Sequence, residues 1–127
     1  MLLVKGAFHD GRRSGTWTEW YPNGAVKSEG AYGGIGLRSG RWAWWYDDGK
    51  PQAEGAYDGG REHGAWVWWY PNGARERAGV YVLGVEDGPW TTWHPNGQVA
   101  SQGTWVDGEQ AGDWQWWDAM GAPTAAD

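Results

Sequence analysis

Apolar positions in this chain come in short bursts that return with a long period. The burst Trp42-Ala43-Trp44-Trp45-Tyr46 recurs as Trp66-Val67-Trp68-Trp69-Tyr70, and each runs into a turn sequence, Asp47-Asp48-Gly49 or Pro71-Asn72-Gly73. Such bursts are too short for an amphipathic helix and have the length and aromatic content of a strand. Strand side chains alternate between faces, which predicts Trp42, Trp44 and Tyr46 on one face, with Trp66, Trp68 and Tyr70 beside them. Trp45 and Trp69 are expected on the other face.

The period is set by several independent residue series. Gly15, Gly40, Gly64, Gly88 and Gly112 are spaced by 25, 24, 24 and 24 residues. Trp17, Trp42, Trp66, Trp90 and Trp114 keep the same spacing, as do the turn glycines 24, 49, 73, 97 and 121. A further set, Gly6, Gly30, Gly55, Gly79 and Gly103, is followed two residues later by Phe8, Tyr32, Tyr57, Tyr81 and Trp105. The chain divides into a half unit (4–14), full units (15–39, 40–63, 64–87 and 88–111), a half unit (112–121) and a tail (122–127). The one extra residue falls in the loop at 33–39.

Each unit reads as a β-hairpin. In Tyr21-Pro22-Asn23-Gly24, Pro presets the first corner of a type I turn, and Gly supplies the positive φ that closes a bulge. Ala119-Met120-Gly121 keeps only the glycine, so the last hairpin is expected to fray. Successive hairpins predict an all-β, elongated, single-layer antiparallel meander of about ten strands in one repeat domain. With ~4.8 Å between strands it would be roughly 45 Å long.

A single sheet has no second layer to cover its apolar face. The composition answers this with 14 Trp and 23 Gly, against one Phe and no Cys. Broad indoles can lie on the sheet, and the glycine inside each second strand leaves room for them. Positions invariant between units are explained by the fold. A position that varies, reading Glu19, Trp44, Trp68, Thr92 and Trp116, puts extra indoles in the centre of the array. Trp42, Trp44, Tyr46, Trp66, Trp68 and Tyr70 are therefore the candidate binding platform, because large exposed aromatic patches mark interaction sites.

The net charge is −6, carried by the second half. Residues 1–64 balance eight basic against eight acidic side chains, whereas residues 65–127 set Arg75 and Arg77 against eight acids. Such a surface disfavours nucleic acid and admits a basic protein partner.

The unit G-x-W-x-x-W-Y-x-N-G-(x)5-G-x-Y, running from Gly6 to Gly121, resembles the MORN repeat, in particular its bacterial variant. That resemblance implies an elongated array of hairpins and a non-enzymatic interaction module with no cofactor. Its most specific implication is an antitoxin- or immunity-like protein that binds a toxin. The W-W-Y-x-x-x-G spacing more weakly resembles cell-wall-binding repeats, which would make the platform a site for carbohydrate or lipid headgroups. Self-association through end strands is a third expectation, since bare strand edges pair with other chains.

Catalysis is not expected. His9, His63 and His94 stand in different units without metal-ligand spacing. Glu29 and Glu54 recur at one position, but Ala78 and Gln102 replace them in later units. The start, MLLVKGAFHDG, is too short for a secretory apolar core, so a cytoplasmic location is expected.

Overall fold

The computed structural model describes residues 3–124 and contains only strands, turns and loops in that range. The strands are β1 (Leu3–His9), β2 (Arg12–Trp20), β3 (Val26–Tyr32), β4 (Arg38–Trp45), β5 (Pro51–Asp58), β6 (Arg61–Glu62) and β7 (Gly64–Trp69). They continue with β8 (Arg75–Val82), β9 (Val85–Glu86), β10 (Gly88–Trp93), β11 (Val99–Val106), β12 (Glu109–Trp117) and β13 (Pro123–Thr124). All belong to one open antiparallel sheet in meander order. Ten strands have six to nine residues, and β6, β9 and β13 have two each. β6 and β7 lie along one line, as do β9 and β10. Each line is interrupted by one residue, His63 or Asp87, whose N–H still donates to Ala56 O or Val80 O.

The YPNG turns form as their residues dictate. Gly24 N–H donates to Tyr21 O (2.9 Å), Tyr21 N–H to Ala25 O (2.8 Å), and Gly24 holds φ at +90°. The register slips by one residue between Glu19 and Trp20, which is the bulge a type I turn plus left-handed glycine creates. Pro51 enters its strand at the equivalent slip opposite Trp45, where the ladder is already irregular. The final turn does not fray. Asp118 N–H donates to Ala122 O and Gly121 N–H to Asp118 O, while the Asp118 carboxylate also accepts the Met120 and Ala122 N–H groups. One carboxylate thus replaces the missing Pro-Asn pair.

The core is a row of indoles rather than a sandwich interior. Trp17, Trp42, Trp66 and Trp90 are buried, with 7%, 3%, 3% and 5% of their surface exposed. Each lies flat over the glycine of the preceding second strand. A Cβ on Gly30 would come 2.0 Å from the Trp42 ring, and one on Gly55 would come 2.0 Å from Trp66. The edge of each ring is anchored as well: Trp42 Nε1–H donates to Ala31 O and Trp66 Nε1–H to Ala56 O, both at 3.0 Å. Ring, glycine and carbonyl make one locking element per unit, so the sheet carries its own covering.

Neighbouring turns are stitched together. Tyr21, Tyr46 and Tyr70 donate their hydroxyls to Trp45 O, Trp69 O and Trp93 O at 2.8, 2.7 and 2.6 Å. Asn23, Asn72 and Asn96 donate side-chain N–H to the next turn's carbonyls at Asp47, Pro95 and Ala119. His94 takes the tyrosine's place in the fourth unit, with Nε2 2.8 Å from Trp117 O.

Candidate functional site

The face that bears the buried indoles carries a continuous aromatic stack. Trp42 and Trp44 have centroids 5.8 Å apart, Trp44 and Trp66 5.7 Å, Trp66 and Trp68 5.5 Å, and Trp68 and Trp90 6.0 Å. Tyr57 and Tyr81 meet these indoles edge-on, at 5.2 Å from Trp66 and 5.1 Å from Trp90. Edge-on contacts place the positive ring edge against a negative face, the favoured geometry for such pairs.

Four of the six platform residues expected from sequence, Trp42, Trp44, Trp66 and Trp68, come together in this stack. Trp42 and Trp66 are its buried layer, and Trp44 and Trp68 are its half-exposed layer. Tyr46 and Tyr70 stand apart. Their strands end at Trp45 and Trp69, so alternation stops before they are reached, and their hydroxyls are committed to the inter-turn stitches. Burial raises the pKa of both phenols, and the nearby Glu76 charge adds to it.

Sequence reasoning missed Tyr57 and Tyr81 as members of the site. Their signal was present: each lies two residues beyond a glycine that underlies an indole, and so on the same face. The arginines were missed too. Arg38 lies 4.6 Å over the Trp42 ring and donates to Tyr57 Oη, and Arg77 lies 4.0 Å over Trp68. Both are cation–π contacts. Burial pushes the Tyr57 phenol upward, and Arg38 opposes it in part. Burial likewise raises Tyr81, opposed by Arg77.

Between Trp44 and Trp68 the stack opens into a depression of about 380 Å³, bordered by Tyr57, Tyr81, Glu62 and Arg77. A hollow of about 430 Å³ lies beside Glu29, Trp45 and Glu54 on the other face, with the Arg41–Glu54 ion pair at its rim. In that second hollow the one cation, Arg41, is already paired with Glu54, and Glu29 accepts a hydrogen bond from the Thr18 hydroxyl. The first joins indoles, phenols and an arginine, the side chains that dominate binding energy at protein interfaces. Beyond it the stack is interrupted by Thr92, and Trp105, Trp114 and Trp116 form a separate cluster.

Among the described residues, no group of three or more His, Cys, Asp or Glu side chains is arranged to hold a metal. His63 Nδ1 accepts the Leu83 N–H, and His94 serves a stitch, so both have local structural partners.

No curated protein matches the chain. The MORN repeat variant family model matches residues 13–32, 38–58, 62–82 and 86–107. Those four segments follow the four full units and cover most of the chain. Repeats of this kind are generally protein- or lipid-interaction modules. The matched period, the single open sheet and the indole-on-glycine lock agree with one another, and the chain belongs to the MORN repeat variant family.

Proposed function

We propose that this protein is a non-enzymatic docking module, and that a partner protein occupies the depression between Trp44 and Trp68. The observation that carries this reading is the position reading Glu19, Trp44, Trp68, Thr92 and Trp116. The fold tolerates Glu and Thr there, so it does not demand the central indoles. Their half-exposed rings around an open depression supply the anchors a docking surface needs. The narrowest form of the reading is a bacterial, cytoplasmic antitoxin- or immunity-like protein that neutralises a toxin by covering it.

The test is Trp44→Thr with Trp68→Thr, residues the fold already accommodates in the fourth unit. Wild type is expected to retain a stoichiometric protein from its host lysate that elutes with salt, and the folded double variant is expected to lose it. Equal retention by both would remove the depression from the interface. Enrichment of a lipid or glycan in place of a protein would refute the protein-docking reading.

A further inference from the structure

One position on the aromatic face varies in charge rather than size. It lies directly across the ladder from the aromatic that follows each second-strand glycine. Phe8 faces Arg13, Tyr32 faces Arg38, Tyr57 faces Glu62, Tyr81 faces Glu86, and Trp105 faces Gln110. Along the array the row therefore reads Arg, Arg, Glu, Glu, Gln, at intervals of two strands or about 10 Å. Among the described residues none of these charges has an ion pair within the chain. The arginines are propped on rings instead, with Arg13 4.4 Å over Trp17 and Arg38 4.6 Å over Trp42.

A row with two cations followed by two anions is complementary to itself when reversed. We propose that the aromatic face docks on the same face of a second copy, related by a two-fold axis parallel to the strands and passing over β5. This rests on the docking reading above and names its partner. Rotation about that axis reverses the order of units and keeps each residue's position along its strand. Arg38 then lies opposite Glu62 of the partner subunit, and Arg13 lies opposite Glu86 of the partner subunit, each pair occurring twice. Trp44 meets Trp68 of the partner subunit. Arg77 lies opposite Ser28 of the partner subunit, one strand from Glu19 of the partner subunit.

The geometry suits such a pair. Rotation about the strand direction leaves the two sheets aligned, one of the two ways sheets pack face to face, about 10 Å apart. The nine strand lines from β1 to β11, centred on β5, span eight spacings and, with about six residues each, present roughly 38 by 20 Å, or about 760 Å², close to the ~800 Å² per partner of a standard interface. The pairing covers the half-exposed outer layer of the stack, Trp44 and Trp68, which the chain itself leaves open. It also closes as a dimer, because a two-fold interface uses the same patch on both copies.

The test is sedimentation equilibrium of the full chain over a range of concentration and salt. Wild type is expected to reach twice its chain mass and no more, with weaker association at high salt. Glu62→Arg with Glu86→Arg makes the row all arginine, and Arg13→Glu with Arg38→Glu makes it all glutamate. Every substitution installs a residue that another unit already carries at that position, and circular dichroism checks that each variant is folded. Each variant alone is expected to dimerise at least about tenfold more weakly, and an equimolar mixture is expected to recover a heterodimer. A monomer at every concentration, a dimer indifferent to the swaps, or open-ended growth through strand edges would each overturn the proposal. If wild type is monomeric while Trp44→Thr with Trp68→Thr still abolishes partner capture, the docking reading stands and only the second copy is refuted.

Discussion

Replacing Gly55 by alanine should be among the most damaging single-methyl additions this chain can receive. Alanine in place of a strand glycine with ordinary φ normally stabilises, by about 0.5–1 kcal/mol, because glycine loses more backbone freedom on folding. Here the added Cβ would lie 2.0 Å from Trp66 Cδ2 and 2.2 Å from Cε2, so the ring must leave its seat. Trp66 is 3% exposed. Exposing about 200 Å² of indole at about 25 cal/mol per Å² costs about 5 kcal/mol as an upper bound. Losing the 3.0 Å bond from Trp66 Nε1–H to Ala56 O adds about 1 kcal/mol. Partial relaxation of the sheet returns some of this, so a net loss of about 3–5 kcal/mol is expected. That is a large fraction of the ~5–15 kcal/mol that holds a domain together. The assay is urea unfolding followed by both tryptophan fluorescence and far-ultraviolet circular dichroism. Gly49→Ala is the control: it sits at φ +89° with nothing within 4 Å of its Cβ, and should cost only about 1–2 kcal/mol of backbone strain. If Gly55→Ala is as stable as wild type, or Gly49→Ala is the worse of the two, the indole-on-glycine lock is not what holds the repeats.

Other outcomes follow from the same geometry. Tyr46→Phe removes the 2.7 Å stitch to Trp69 O and should cost about 1 kcal/mol in urea unfolding. Burial lifts the phenols of Tyr21, Tyr46, Tyr57, Tyr70 and Tyr81 above their ordinary value of 10.0; nearby acidic charge adds to it at Tyr21, Tyr46 and Tyr70, while arginine opposes it at Tyr57 and Tyr81. Their stabilising contribution should be whole below the unfolded value and decline as pH rises through the folded ones. Tyrosinate absorbance should therefore appear later in the folded chain than in urea, and coincident curves would contradict the burial. Leu83 holds φ at +46° in the turn before Gly84, where its counterparts are Asp10, Gly59 and Asp107. Leu83→Asn should therefore stabilise by about 1 kcal/mol, read as a higher urea midpoint. Trp44→Thr should cost no more than about 2 kcal/mol because its ring is half-exposed, whereas Trp42→Thr should cost about 3–5 kcal/mol in the same titration.

The fold was legible because repetition multiplies weak local signals. One YPNG is a turn, but five turn glycines at a fixed spacing define hairpins and the meander order together. Tryptophan above an empty glycine could also be inferred, since a strand glycine otherwise only weakens its strand. Two things were less legible. Alternation assigned Tyr46 and Tyr70 to the platform, but a face assignment lasts only as long as the strand, and both residues begin turns. The last turn was misjudged because its stabilising carboxylate, Asp118, precedes the corners where turn residues are sought.

The site separates from the scaffold by a physical criterion rather than by residue type. Trp42 and Trp44 are chemically identical and two residues apart. A repeat must keep Trp42, because its ring, the bare Gly30 beneath it and the Ala31 carbonyl lock adjacent strands. The same repeat accepts Glu, Thr or Trp at the position of Trp44, and Arg, Glu or Gln at the position of Arg38. A side chain that the lock does not require, but that sits half-exposed on the stack, is one the repeat can exchange: Thr92, bonded to the Ser101 hydroxyl, takes that place in the fourth unit. On the docking reading proposed above, the selective use of Trp44, Trp68, Arg38 and Glu62 comes from what covers them. They cluster at the centre of the array, where the free chain needs reinforcement least and an approaching surface makes its fullest contact.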